Sequence, residues 1–370
     1  MDIKWLPNSG KMMTKLSPDA FYELPARNRG ELIAFWGKAD KAVDTSSGFS
    51  GEIVFLDNGE DVLPRFTCAK FPRQSKDLSP NLRAERFLRE LRLQAAAHYH
   101  PNVHWPFKVI LILGVPVAYF RRWEGDLSDF IEDSHWGDLG RLSLLIQLAA
   151  GLAHCHARGL VHQDLKPQNV FVRDLQSSFK LPPTDLWLRP LVADFGSVNV
   201  AADFGTFRGS RPYMAPEQWH KTELGEWTSV FVLGIMLHEL MSRGFHPIGE
   251  RSSDWHRRMN PGFNRWQQND HWRKWAIAGC PIAQRLSEPG LADLVASCLT
   301  TSPSERPPLR AVQAALLDML HRRSPSAAQQ VSLFLHIAEI ESEAEEWQHL
   351  KSSIDGLERA MNEHYPRHST

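Results

Sequence analysis

The stretch 159-GLVHQDLKPQNVFV-172 decides how this sequence is read. It opens at Gly159, where a long apolar helical pattern over 141–159 stops, and closes in the β-branched run Val170–Val172. A loop from helix to strand lies between them. Asp164, Lys166 and Asn169 sit in that loop, two and three residues apart. Phosphoryl transfer to a hydroxyl needs such a set. A carboxylate orients the hydroxyl and takes its proton, an ammonium neutralises the moving group, and an amide oxygen holds a metal. The bland alternative is a set of turn residues capping a helix, which does not require the whole string.

Further on, 191-LVADFGSVNVAADFGTFRGS-210 contains Asp-Phe-Gly twice, at 194–196 and 203–205. A metal-binding aspartate here must end a buried strand that pairs beside Val170–Val172. Asp194 follows Leu191-Val192-Ala193, a better strand than the residues before Asp203. The chain then reaches 213-YMAPE-217. Asp194 lies 23 residues before Glu217, room for a strand, a loop and a docking turn, whereas Asp203 lies only 14 before it. The ligand is therefore Asp194, and Asp203 is an acid of the following loop that can mimic a phosphate.

These motifs resemble the eukaryotic-type (Hanks-type) serine/threonine protein kinase family. Lys166-Pro167 is similar to the serine/threonine branch, and Ala215-Pro216-Glu217 resembles the end of its activation segment. The resemblance covers about residues 42 to 322. It implies an α+β, bilobal protein-kinase-like fold with a small β-rich N-lobe, a large helical C-lobe and an extra C-terminal helix. The implied boundaries are an extension over 1–36, an N-lobe over 37–120, a C-lobe over 121–322, and a linker plus amphipathic helix over 323–370.

The resemblance also implies roles. Asp164 and Lys166 are catalytic, Asn169 and Asp194 hold Mg2+ (Mn2+ can substitute), and Ser210 bonds the catalytic pair where substrate docks. Lys70 in 67-TCAKF-71 binds the ATP phosphates, with Glu90 as its partner and Glu85 as the alternative. Gly48 and Gly51 match two glycines of the phosphate-covering loop, while Ser46 replaces the first. Phe120 guards the adenine pocket, backbone groups of Arg121 and Trp123 face the adenine edge, and Asp126 is placed for a ribose hydroxyl. Glu217 is expected to pair with Arg306 in a buried clamp.

Three residues depart from the pattern. Gln163 replaces the arginine that meets an activation-loop phosphate, Ser229 replaces an aspartate that ties down the catalytic loop, and Gln94 occupies an apolar position four residues after Glu90. None of them removes a group that touches the phosphates of the nucleotide or the metal. The implied function is ATP-dependent phosphoryl transfer to a serine or threonine hydroxyl of a protein. The alternative is a pseudokinase-like scaffold that binds a partner through the C-lobe and C-terminal helix. A small-molecule kinase is disfavoured by the docking platform around Ser210 and Glu217.

The remaining features set limits. The chain has 370 residues, 42% hydrophobic and 23% charged, with a formal net charge of -1. That charge argues against a nucleic-acid binder. Cys68, Cys155, Cys280 and Cys298 form no metal or disulfide framework, which suits a reducing compartment. The run 109-VILILGVPVAYF-120 is too short to span a membrane and reads as two strands and a turn. The N-terminal stretch lacks the apolar core of a signal peptide, so the expected location is cytoplasmic. Residues 173–190 read as a surface insertion and 323–330 as a linker. Beyond it Leu333, Ile337, Ile340, Ala344, Trp347, Leu350, Ile354, Leu357 and Met361 form an apolar stripe. It serves a homodimer or a partner as a coiled coil, or it packs back on the body.

Overall fold

A computed structural model describes residues 18–48, 51–62, 64–74, 78–176, 181, 184–195, 198–200, 209–251, 253, 269–343 and 349–364. The second Asp-Phe-Gly, with Asp203, and most of the Trp-rich 255–275 lie outside these residues. The chain forms two compact units. The first comprises 1–89, 107–120 and 349–370, and the second 90–106 and 121–348.

The first unit is built on a five-stranded sheet, β1 (Lys41–Gly48), β2 (Gly51–Asp57), β3 (Phe66–Phe71), β4 (Lys108–Ile112) and β5 (Val115–Arg121, of which Arg121 falls in the second unit), in the order β1-β2-β3-β5-β4. The apolar run at 109–120 is the β4–β5 hairpin. Its turn residues Leu113 and Gly114 both have positive φ, 48° and 83°. Such a turn matches the twist of the two strands. Two helices precede the sheet, α1 (Pro18–Glu23) and α2 (Ala26–Gly37), where the sequence shows no strong period. They complete one core of Phe21, Tyr22, Ile33, Val54, Leu56, Phe71, Val117 and Tyr119.

Helix α3 (Pro80–Ala96) runs from the first unit into the second. The second unit is mainly helical. Its spine is α4 (Asp138–His156), and Gly159 beyond it has φ 70°. A short strand β6 (Gly125–Asp126) precedes α4; β7 (Leu160–His162), β8 (Val170–Asp174), β9 (Leu188–Val192) and β10 (Val198–Val200) follow. They form two small sheets, β6-β8-β9 and β10-β7. Then come α5 (Pro216–His220), α6 (Glu226–Met241), α7 (Asn269–Ile277), α8 (Pro289–Cys298), α9 (Leu309–Arg323) and α10 (Pro325–Ser342). α6 is apolar all round, as a helix inside a core must be; Val230 to Leu240 are buried without a break.

Two segments differ from the sequence reading. The 173–190 stretch is not simply a surface insertion. Its ends lengthen β8 and β9, Leu186 is buried, and Asp185 Oδ2 accepts the backbone N–H of Gly137 at 2.8 Å, just before α4. An aspartate there satisfies an orphan donor and favours the positive helix end. The linker-like 323–330 is helical from Pro325. Ser324 accepts the N–H of Ala327 and Pro325 takes the first helical position, so a polar-looking Ser-Pro is a helix start.

The C-terminal stripe is divided. On α10, which packs on α4 and α9, Ala327, Ala328, Val331, Phe334 and Ala338 are buried, while Leu333, Ile337 and Ile340 are exposed. The last helix, α11 (His349–His364), lies in the first unit against β4 and buries Leu350, Ile354 and Met361. Each helix thus packs on its own unit.

Candidate active site

The catalytic string folds as a turn from β7, a single 3-10 turn at Pro167–Asn169, and β8. Pro167 opens that turn, where its missing N–H costs nothing. Lys166 Nζ donates to Asp164 Oδ2 at 2.7 Å and to Ser210 Oγ at 2.8 Å. Asn169 Nδ2 donates to the Asp164 carbonyl at 2.7 Å and reaches Asp164 Oδ2 at 3.4 Å. The other carboxylate oxygen, Asp164 Oδ1, is buried and has no hydrogen-bond partner among the described residues. A buried acceptor left open is costly unless something uses it.

β8 and β9 bring Asp194 to the same place. Val170 faces Val192 across the pair, and Ala193 N–H donates to the Asn169 carbonyl at 2.9 Å. Asp194 then turns with φ 59°, a left-handed conformation uncommon outside glycine. Phe195 is fully buried with its ring 6.0 Å from that of His162. His162 Nε2 bonds the Ala193 carbonyl at 2.8 Å, and burial lowers its pKa, so the neutral ring is the donor there. The structure therefore brings together Asp164, Lys166, Asn169, Asp194 and Ser210.

Asn169 and Asp194 fit a magnesium ion. The Asn169 amide nitrogen is committed to Asp164, which leaves its oxygen as the ligating end. The Asp194 side chain makes no hydrogen bond or ion pair among the described residues. Magnesium takes only one or two protein oxygens and completes its shell with water and phosphate. The described residues contain no cluster of three or more His, Cys, Asp or Glu that could hold a different metal.

In the first unit Lys70 lies on β3 opposite Ile53. Gly48 and Gly51 are paired at the end of the β1–β2 hairpin. A Cβ on Gly51 would stand 2.7 Å from the Phe71 carbonyl and 3.4 Å from Lys70 Cε, so only glycine fits beside Lys70. Phe120 is buried on β5, and its carbonyl accepts from Cys68 Sγ at 3.8 Å.

The remaining predicted residues belong to the second unit. Glu90 lies on α3, half-buried. Arg121 NH1 donates to the Tyr99 hydroxyl at 3.3 Å. The Trp123 ring stacks on Phe171 of β8 with centroids 4.3 Å apart and planes at 3°, and His104 meets both rings edge-on. Asp126 is 7% exposed, and its Oδ1 accepts the Ser128 N–H at 3.1 Å, capping the turn at Leu127–Asp129.

The three departures each have a structural counterpart. Gln163 is buried, and its carbonyl accepts Gln218 Nε2 at 2.8 Å. This tie holds the backbone one residue before Asp164, and nothing in the sequence pattern announces it. Gly209 packs at the same point; a Cβ there would lie 3.1 Å from Gln218 Nε2 and 3.3 Å from the Gln163 carbonyl. Ser229 Oγ bonds His156 Nε2 of α4 at 2.9 Å, and burial lowers the His156 pKa to about 4. Gln94 is buried in an unbroken α3 and donates to the His104 carbonyl. His104 N–H in turn donates to the Val192 carbonyl at 2.8 Å, which links α3 to the strand before Asp194.

The clamp is also present. Arg306 donates to Glu217 through NH1 at 2.7 Å and NH2 at 3.0 Å, and both side chains are sealed from solvent, 0% and 1% exposed. Arg306 also donates to the carbonyls of Thr300 and Trp227.

Residues 66–316 match the family described as the protein kinase domain. Similar proteins include a serine/threonine-protein kinase/endoribonuclease IRE1 from Oryza sativa subsp. japonica, 33% identical over 110 residues, 30% of this chain and 12% of that protein. The serine/threonine-protein kinase pkn2 from Myxococcus xanthus is 30% identical over 172 residues, 43% of this chain and 19% of the relative. An Aurora kinase from Eremothecium gossypii is 27% identical over 201 residues, 51% of this chain and 49% of the relative. The match thus spans less than half the length of each of these relatives. With its fold and the grouped Asp164, Lys166, Asn169 and Asp194, the chain belongs to the protein kinase domain family.

Proposed function

We propose that the chain is an active kinase that moves the γ-phosphoryl group of ATP to a serine or threonine hydroxyl of a protein. One observation carries this reading: Asp164 keeps a buried carboxylate oxygen open while its other oxygen is held by Lys166. A scaffold gains nothing from such an arrangement and bears its cost.

The roles follow from the geometry. Asp164 Oδ1 accepts the hydrogen bond of the acceptor hydroxyl and takes its proton as the O–P bond forms. Lys166, fixed between Asp164 and Ser210, offsets negative charge on the transferred group. Asn169 and Asp194 would hold Mg2+, which neutralises the phosphate oxygens. Lys70, beside Gly51, orients the α- and β-phosphates. Ser210 and the following 213-YMAPE-217 form the platform for a polypeptide acceptor. The Ser/Thr preference rests on Lys166-Pro167 and on the Lys166–Ser210 bond.

The test is transfer of labelled phosphate from ATP to the chain itself and to a generic protein substrate. Wild type transfers label and Asp164→Asn does not, with nucleotide binding kept in both. Equal transfer by the two proteins, or none by the wild type, ends this reading. A scaffold is the second reading, favoured by the exposed Leu333, Ile337 and Ile340 on α10.

A further inference from the structure

The sheet β6-β8-β9 has two unlike faces. On one, Val170, Val172 and Val192 are fully buried in the core of the second unit. On the other, Arg173 of β8 stands directly opposite Arg189 of β9. Directly opposed residues project from the same face, and like charges so placed repel. Both side chains are only partly exposed. Burial lowers the pKa of each, that of Arg189 to about 10.

Neither guanidinium makes a hydrogen bond or ion pair with any described residue, and Arg189 Nε is buried without an acceptor. Arg189 lies 4.1 Å from the ring centroid of Phe334 on α10, which covers it. The fully buried arginines of this unit are treated differently. Arg141 donates to the carbonyls of Trp136, Ile131, Leu240 and Asp133, and Arg306 is held by Glu217.

Two acids nearby attract the pair, Glu341 on Arg189 and Glu124 on Arg173, but both have their hydrogen bonds elsewhere. Glu341 accepts the Tyr99 hydroxyl at 3.2 Å, and Glu124 accepts the Asp174 N–H at 2.7 Å. A third cation, Arg121, donates to the same Tyr99 hydroxyl and adds repulsion on Arg173. Two half-buried cations side by side, with their donors open, need an anion. A phosphoryl group suits them: it carries up to two negative charges and presents several oxygens to two planar forks. A single carboxylate would offset only one of the two cations.

We propose that Arg173 and Arg189, with Arg121 and the Tyr99 hydroxyl at the margin, form a seat for a phosphoryl oxyanion outside the catalytic group. The ligand is a phosphate ester of a small molecule or a phosphorylated serine or threonine side chain. Glu341, at the edge of the seat, opposes its entry.

The test is calorimetric titration of the full chain with inorganic phosphate in chloride at low ionic strength. Saturable binding is expected. Arg173→Gln and Arg189→Gln should each weaken it about tenfold, the loss of one charge-assisted bond. Glu341→Gln should tighten it, and Lys70→Met should leave it unchanged. Arg189→Lys, which keeps the charge and the strand but not the fork, should bind with intermediate strength; this covers the case in which a glutamine variant fails to fold. A phosphoserine tripeptide that binds more tightly than phosphate assigns the ligand to a peptide, and one that does not assigns it to a small molecule. No saturable binding by wild type, binding unchanged in every arginine variant, or binding lost only in Lys70→Met would overturn the proposal.

Discussion

Two ion pairs in the second unit look alike in sequence and behave as opposites. Lys166–Asp164 is partly open, 22% and 17% exposed, and one carboxylate oxygen has no hydrogen-bond partner among the described residues. Arg306–Glu217 is closed, 0% and 1% exposed, bidentate, and completed by backbone carbonyls. The closed pair spends every donor and acceptor on the fold. The open pair keeps one acceptor for something outside the chain. What separates chemistry from scaffolding here is the unspent atom, not the presence of charge. Arg173 and Arg189 extend the contrast, since among the described residues neither guanidinium has a hydrogen bond or ion pair.

The sharpest way to break this comparison is at the open pair. Asp164→Asn keeps the shape and removes the base of the proposed transfer. Phosphoryl transfer should fall by roughly a thousandfold, while the melting temperature stays within a few degrees or rises, because a buried unpaired oxygen loses its charge. Steady-state kinetics and a thermal melt on the same preparation check both halves. A variant that melts early would move Asp164 to the structural side.

The closed pair should respond in reverse. Arg306→Ala leaves Glu217 as a buried, unpaired carboxylate and should lower stability by about 3–5 kcal/mol. Denaturant unfolding measures it. Activity should be lost only in proportion to the unfolded fraction. Normal stability in this variant would mean that water enters the clamp and that the pair is not closed.

Gln218 lies between these cases, since it acts on the open pair through backbone. Gln218→Leu removes the donor to the Gln163 carbonyl beside Asp164 and the acceptor of the Ala215 N–H. A loss of about 2 kcal/mol in stability is expected, together with a drop in kcat of about tenfold and little change in KM for ATP. A change in KM alone would place the effect in nucleotide binding instead.

These cases also show what the sequence could reveal. That Asp164, Lys166 and Asn169 stand together was legible from their short spacings in one loop, and that Asp194 joins them from the strand before it and its distance to Glu217. Glu217 and Arg306 were legible through their motifs. The Gln218 tie was not, because donor and acceptor are 55 residues apart and neither type is required by a reaction. Gln94 stood out as a polar residue at an apolar position, but its acceptor is a backbone carbonyl, which no side-chain pattern encodes. Ser229 stood out as the replacement of a loop-tying aspartate, but its bond to His156 of α4, 73 residues away, was not legible. The opposed arginines became visible only with the β8–β9 register. The strands and long helices followed their periodicity, whereas α1, α2 and the start of α10 depend on capping and tertiary packing more than on pattern.

The last expected effect is a slope and not a loss, and it concerns closed groups of another kind, the buried histidines. His246 is fully buried; its Nε2 meets the Pro212 carbonyl and its Nδ1 accepts the Ile248 N–H, so the neutral ring is saturated. Burial lowers its pKa to about 3, and that of His100 likewise to about 3. A histidine whose folded pKa is depressed binds its proton more readily in the unfolded chain. Its contribution is therefore complete above the unfolded value near 6.5 and is lost as pH falls toward 3. Between pH 6 and pH 4 each such group should add about 1.4 kcal/mol per pH unit to the slope of stability against pH. His246→Gln keeps a donor and an acceptor but does not titrate, so its slope should be shallower by that amount even if its stability is lower at every pH. Urea unfolding at several pH values reads the slope. A variant with the wild-type slope would show that His246 is protonated in the folded protein, and a group counted as closed would then be open.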